Sequence, residues 1–422
     1  MNLDKHVYLL IAAALSFAAA LPAQAADTLR SGFSIERLAR ADALLDSYVN
    51  DGRVAGVVAL VLRDGKPVYQ RAVGWIDKEA GRKMTMDTEF RIASQSKALT
   101  SVAILQLQEE GKLTVNDKAG KWIDTFASTS VGTRSENGTG LTIAPAKRPI
   151  LIKDLLTHTS GVSYGTEPEI AALYEAKGLG PAAGHGWYFA DKDEPICVSM
   201  ERLGTLPFVA QPGEKYVYGY NTDILGCIVE KASGVSLDSF IRSHITGPLG
   251  MKDTYFFLPP EKRDRFAAVY GSDANGKAVR QPDGPKGQGL YVDGPRKSFS
   301  GGAGLVSTAR DYATFLEALR NGGALGKVRI LSPHSVELMT TNQIGTLRAP
   351  NQNGFGFGFE TQERYGPGME SAGSWGWGGA YATWYRVDPK ERLTIVLMLQ
   401  MLPNNTDFRD KFTPAIYQAL LD

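Results

Sequence analysis

The sequence predicts an α/β (α+β) fold: an antiparallel sheet built from the N- and C-terminal segments, flanked by helices, with an inserted, mainly helical subdomain. Three observations lead there. Strand-like runs lie near both ends, at Gly56–Leu62, Val68–Val73, Trp384–Val387 and Thr394–Leu399. Helical patterns dominate the middle. No internal repeat or low-complexity tract divides the chain, whose length suits one large domain or two interleaved ones. The expected boundaries are a leader at 1–25 and one domain at 26–422. Its α/β part spans about 28–115 and 290–422, and its helical subdomain about 116–289.

The elements follow in order. Lys5, the apolar run Val7 to Leu21 and the small-x-small triplet Ala23-Gln24-Ala25 read as a cleavable secretory signal. The run is too short for a membrane anchor, which needs about 20 apolar residues. A periplasmic or secreted protein with no stable anchor is expected. Ser34 to Asn50 is an amphipathic helix with Leu38, Ala41, Leu45 and Tyr48 on one side. The first two strands are joined at the turn pair Asp64-Gly65. Ala98 to Glu110 is a helix with Leu99, Val102, Leu105 and Leu107 at apolar positions. Thr125–Arg148 reads as a surface excursion and Pro260–Lys297 as a second loop-rich stretch. The last strands flank a turn at Asp388-Pro389-Lys390, and a helix near Phe412–Leu421 closes the chain.

A formal charge of +1 gives no electrostatic case for nucleic acid or an anionic membrane. Cys197 and Cys227 cannot make a disulfide framework. Cys227 fits an apolar helical pattern as a small buried hydrophobe, and a single bridge between the two stays open. Five scattered histidines offer no ligand spacing, so no metal and no cofactor are expected.

Chemistry concentrates at Phe90-Arg91-Ile92-Ala93-Ser94-Gln95-Ser96-Lys97, which holds the chain's one Ser-x-x-Lys. Residues three apart on a helix share a face, roughly 5–6 Å apart at Cβ. Ser94 Oγ can therefore meet Lys97 Nζ. Serine needs a base to act as a nucleophile, and a buried lysine one turn away can serve. Taken alone, the motif fits equally a capping serine with an exposed lysine. Two further segments are candidates. Pro212 to Asn221 places Tyr218 on a turn before a helix, although a lone tyrosine is usually a packing aromatic. Trp377-Gly378-Gly379-Ala380 sets paired glycines beside a strand, where N–H groups can stay free for substrate, or where the chain simply turns.

In order and rough spacing, Ser94-x-x-Lys97, Tyr218 and Trp377-Gly378-Gly379 resemble the serine β-lactamase-like superfamily. That superfamily includes class C β-lactamases, D-Ala-D-Ala carboxypeptidases and the family VIII carboxylesterases. Asp154-Leu155-Leu156-Thr157-His158-Thr159-Ser160-Gly161 and Gly301-Gly302-Ala303-Gly304-Leu305-Val306-Ser307-Thr308 support it, and nearly the whole mature chain is covered. Two departures matter. Penicillin-recognising members usually carry Tyr-x-Asn, but here Tyr220 holds the third position and Asn221 follows. They also carry a cation at the third motif, where this chain has Trp377. Trp-Gly-Gly resembles the family VIII esterases, so uncharged acyl substrates are favoured.

The resemblance implies catalysis by Ser94, Lys97 and Tyr218, an oxyanion hole from the N–H groups of Ser94 and Ala380, and a pocket lined by Tyr220, Trp377, Gly378 and Gly379. The implied reaction is hydrolysis of a small-molecule acyl ester through an acyl-enzyme. A β-lactamase, D-alanyl-D-alanine carboxypeptidase, amidase or non-turnover penicillin-binding protein is the alternative. Gly161-Val162-Ser163-Tyr164-Gly165 also fits the nucleophile elbow of α/β-hydrolases, with His185, His244 or His334 as nominal partners. The polar run before Ser163 lacks the buried strand that an elbow requires. His158 reads as a structural hydrogen-bonder.

Overall fold

The computed structural model describes residues 29–135, 140–180, 189, 192–283, 290–349 and 352–421. The expected leader at 1–25 lies outside them. Its frame is an eight-stranded sheet. In chain order the strands are β1 (Gly56–Arg63), β2 (Lys66–Asp77), β3 (Arg82–Lys83), β4 (Gly354–Phe355), β5 (Glu360–Thr361), β6 (Trp375–Gly378), β7 (Trp384–Asp388) and β8 (Leu393–Met398). They lie side by side as β4-β5-β6-β7-β8-β1-β2-β3, and every neighbouring pair is antiparallel. The two ends of the chain meet where β8 pairs with β1, from Leu393 opposite Arg63 to Met398 opposite Val58.

The central strands β7, β8 and β1 are buried at every position because both faces are covered. Val57, Ala59 and Val61 point into one core with α1 (Ile35–Asn50) and the closing helix. Val58, Leu60 and Leu62 point into the other, with α2 (Ser96–Glu109) and the helix Ala309–Arg320. Alternation along a strand divides its side chains between two helical layers. Ser34 caps α1 by accepting the Arg37 N–H, as its place before the apolar stripe implies. The closing helix runs Phe408–Tyr417, not Phe412–Leu421. Phe408, Phe412 and Ile416, at steps of four, form its buried stripe, and this stripe sets where the helix begins.

Between these ends lie α3 (Ile152–Leu156), α4 (Ile196–Leu203) and α5 (Asn221–Ser233). Cys197 on α4 and Cys227 on α5 are disulfide-bonded, so Cys227 is more than a buried apolar residue. The Thr125–Arg148 excursion holds an antiparallel hairpin, Ser130–Arg134 with Leu141–Pro145, whose second strand is largely exposed. Among the described residues, no helix is long and apolar enough to cross a membrane.

Candidate active site

The chain reaches Ser94 along the short strand Phe90–Arg91, which pairs with Val306–Ser307. Ala93 then takes a left-handed backbone conformation, φ +45°, which is costly for a residue with a Cβ. Ser94 follows in a single 3₁₀ turn, Ala93–Gln95, and α2 starts at Ser96. Ser94 and Lys97 are therefore not on one continuous α-helix. The turn nevertheless brings Lys97 Nζ to 3.3 Å from Ser94 Oγ. Lys97 sits in the first turn of a helix buried from Ser96 to Leu107, which explains why that stretch lacks a single apolar stripe.

Lys97 is 2 % exposed. Its ammonium also donates to Tyr164 Oη at 3.2 Å and to the Gly302 carbonyl at 2.8 Å. The Gly302 N–H donates in turn to Asp223 Oδ1, which also accepts the Ser300 hydroxyl. One residue, Gly302, thus links the buried lysine to a buried carboxylate. Burial pushes the Asp223 carboxyl up, against the opposing pull of Ser300, Lys97 and Gly302.

Tyr218 lies beside this centre, its ring centroid 4.7 Å from Lys97 Nζ. Its hydroxyl accepts the Trp377 indole N–H at 3.1 Å. The turn carrying it is held by the Asp154–Gly161 segment. The His158 carbonyl accepts the Val217 N–H, and the Thr159 carbonyl accepts the Gly213 N–H. Ser160 donates to Asn221, whose amide donates to the Val162 and Val217 carbonyls and meets His158 Nδ1 at 3.0 Å. Gly219 permits the approach, since a Cβ there would lie 2.4 Å from the Val162 carbonyl oxygen. The buried His158 ring is 4.5 Å from that of Tyr218. Burial, with Lys97 and Arg348 nearby, drives its pKa well below the usual histidine value, so it is a neutral structural contact as expected.

The other wall is the end of β6. A Cβ on Gly379 would lie 2.4 Å from the Ile92 carbonyl oxygen, so its glycine lets this segment close on the serine turn. Among the described residues, neither the Ser94 nor the Ala380 backbone N–H has a hydrogen-bond partner. Both residues line the same cleft.

That cleft has a volume of about 860 Å³ and is also lined by Tyr164, Tyr218, Trp377, Gly378 and Gly379. Tyr220 is not among its residues. It is 3 % exposed, donates its hydroxyl to the Leu179 carbonyl and packs edge-on behind Tyr164, so the expected pocket role passes to Tyr164. Asn221 is likewise wholly buried. Ser163 is buried too, donating to Glu167 at 2.7 Å and accepting the Gly165 N–H. His334 is exposed, His244 stacks on Phe240, and His185 lies outside the described residues. The motif reading passed over Tyr164, although it sits within the Gly161–Gly165 segment, because the neighbouring serine carries the recognisable pattern. It also passed over Arg348, whose guanidinium lies 5.9 Å from the Trp377 ring and donates to Glu360 at 3.0 Å.

A buried lysine bonded to a cleft serine, on this sheet-and-helix frame, defines a serine hydrolase of the β-lactamase fold. The family model described as Beta-lactamase matches residues 41–419, and the chain belongs to that family. Among its relatives, Protein Rv1367c of Mycobacterium tuberculosis is 33 % identical over 371 residues, covering 84 % of this chain and 87 % of that protein. Esterase EstB of Burkholderia gladioli is 32 % identical over 378 residues, covering 85 % of this chain and 89 % of the esterase. The solved structure of EstCE1, a hydrolase with promiscuous acyltransferase activity, superposes with a TM-score of 0.74 at 24 % identity, covering 90 % of this chain and 99 % of that one. That likeness is one of fold.

Proposed function

We propose that this protein hydrolyses carboxylic esters by a Ser-Lys-Tyr mechanism of the family VIII type, and that it works in the periplasm or outside the cell. The observation that carries the ester reading is the Trp377 indole bonded to Tyr218, where penicillin-recognising relatives hold a cation. A carboxylate-bearing β-lactam or D-alanyl peptide loses a charge-assisted hydrogen bond there, worth about 1.5–3 kcal/mol. The nearby cation, Arg348, is already engaged by Glu360. The overall similarity to esterase EstB points the same way. The expected signal at 1–25 and the Cys197–Cys227 bridge favour an oxidising compartment.

In this reading Ser94 Oγ forms a bond to the ester carbonyl carbon while its proton passes to the Lys97–Tyr218 pair. The developing oxyanion accepts the N–H groups of Ser94 and Ala380. The ester C–O bond then breaks, and Tyr218 returns the proton to the leaving alkoxide. Water, deprotonated by the same pair, cleaves the acyl-enzyme and regenerates Ser94. Tyr164, bonded to Lys97, orients the ammonium.

A paired assay tests the reading. Short nitrophenyl esters are expected to turn over rapidly and nitrocefin poorly. Trp377→Lys is expected to move the kcat/KM ratio towards nitrocefin, recovering about 1–2 kcal/mol. Native nitrocefin turnover equal to that of the ester would make the protein a β-lactamase. An acyl-enzyme persisting for hours would make it a penicillin-binding protein.

A further inference from the structure

An amine taken out of water tends to give up its proton unless a negative charge lies close by. The surroundings of Lys97 supply one. The Gly301–Gly304 loop runs between α2 and α5 and is gripped from both sides. From α2, Thr100 donates to the Gly301 carbonyl at 2.9 Å, and Lys97 Nζ lies 2.8 Å from the Gly302 carbonyl. From α5, Asp223 Oδ1 accepts the Gly302 N–H at 3.2 Å and the Ser300 hydroxyl at 2.6 Å. Only glycines permit this seating. A Cβ on Gly301 would lie 2.6 Å from the Thr222 carbonyl oxygen, and one on Gly302 would lie 2.4 Å from Asp223 Oδ2.

Asp223 is 3 % exposed and stands in the first turn of α5, where the helix dipole favours an anion. Burial pushes its carboxyl up, but Ser300 and Lys97 pull it back towards the charged form. Among the described residues neither Asp223 nor Lys97 makes a direct salt bridge to any group. Two buried ionisable groups, one residue apart and otherwise uncompensated, compensate each other. The titratable and charged groups that face Nζ are Tyr164, Tyr218, His158 and Asp223. Arg348, which also acts on His158, is paired with Glu360. Nζ has three oxygens within reach, Ser94 Oγ, Tyr164 Oη and the Gly302 carbonyl. An ammonium has a hydrogen for each, and a neutral amine has one too few.

We propose that Asp223 is a positioning residue: acting through Gly302, it is the counter-ion that holds a proton on Lys97 and so sets the pH at which the Lys97–Tyr218 pair can accept the proton of Ser94. The Gly302 carbonyl can only accept, so the lysine keeps one hydrogen there when the pair gives a proton up. This rests on the ester-hydrolase reading and concerns the resting state of its base.

The test is the pH profile of p-nitrophenyl acetate hydrolysis. Asp223→Asn keeps an acceptor for Ser300 and Gly302 but removes the charge. The rising limb of kcat/KM is expected to move to lower pH by about one unit, tenfold in proton affinity. Thr100→Val loosens the same loop without a change of charge, and its limb should stay in place. An Asp223→Asn limb at the wild-type position, with or without a uniform loss of kcat, overturns the proposal and leaves the esterase reading standing. Should that variant fail to fold, nitrogen NMR of wild-type protein labelled at lysine Nζ decides, with the Lys97 signal assigned by its loss in Lys97→Arg. An ammonium at pH values below the limb is expected, and a neutral amine there overturns the counter-ion. Failure of the wild type to hydrolyse p-nitrophenyl acetate at any pH overturns the esterase reading instead.

Discussion

Two serines in this protein occupy tight turns next to left-handed backbone, and only one is placed for chemistry. Ser94 follows Ala93 at φ +45°, and Ser163 lies between Gly161 at φ +86° and Gly165 at φ +71°. Ser94 lines the cleft and has the buried Lys97 Nζ at 3.3 Å. Ser163 is buried and spends its hydroxyl on Glu167 and the Gly165 N–H, fixing a turn. Ser163 sits in the better-known sequence pattern. What separates the two is access and a base, which no local pattern encodes.

The sharpest way to break that contrast is to exchange the losses. Ser94→Ala is expected to lower kcat on p-nitrophenyl acetate by on the order of 10³-fold or more with an unchanged fold by circular dichroism. Ser163→Ala should keep most of the activity and cost about 1–2 kcal/mol of stability in urea unfolding. The reverse pattern would move the nucleophile to the other turn.

Next in size comes the base. Lys97→Ala and Tyr218→Phe are each expected to cost several orders of magnitude in kcat, and the double variant little more, because groups acting as a unit are not additive. Tyr164→Phe removes one hydrogen bond from Lys97 and leaves its Ser94 contact, so a smaller loss of about tenfold is expected. If steady-state kinetics show the Tyr164 variant losing more than the Tyr218 variant, the hydroxyl that moves the proton is Tyr164.

The smallest effect sharpens the comparison from the stability side. Glu89, the residue before the strand that leads to Ser94, is fully buried, and no protein group among the described residues hydrogen-bonds its carboxyl. Burial pushes that carboxyl up to about 8, although Arg265 pulls it down. A pKa raised from 4.5 means that the folded state binds the proton more tightly than the unfolded one. The associated stability is complete below the unfolded value and is lost as pH rises through about 8. Thermal unfolding should therefore show this contribution to Tm falling between about pH 4.5 and 8 and levelling off above 8 in the wild type, and Glu89→Gln should flatten the fall. A variant as pH-sensitive as the wild type would mean that the carboxyl does not titrate there.

Much of this was legible in the chain. Ser94, Lys97, Tyr218 and the Trp377–Ala380 segment were legible because each lies in a recognisable local motif, and the fold brings those motifs together at one cleft. The strands were legible because β1 and β8 are buried on both faces and read as mostly apolar runs. Tyr220 was misread because it stands two residues from Tyr218 and looks equivalent. A turn, unlike a strand, gives alternate residues no common direction, and Tyr220 faces the core. Arg386 and Glu370 carry no pattern at all. They line one cleft only because the β5–β6 connection folds against β7, an arrangement that depends on tertiary structure.

The gap at Gly379 has a further consequence, for the order of events in folding. Ser94 and Ala380, which both line the cleft, are carried by segments far apart in the chain, brought together only when the β6 end seats against Ile92. Contacts between such distant positions close late, after the loop entropy between them has been overcome. Catalytic competence is therefore among the last properties this molecule acquires. In the proposed mechanism, a nascent chain that has made its lysine and serine but not yet its final strands holds Ser94 with only one of the two proposed oxyanion donors.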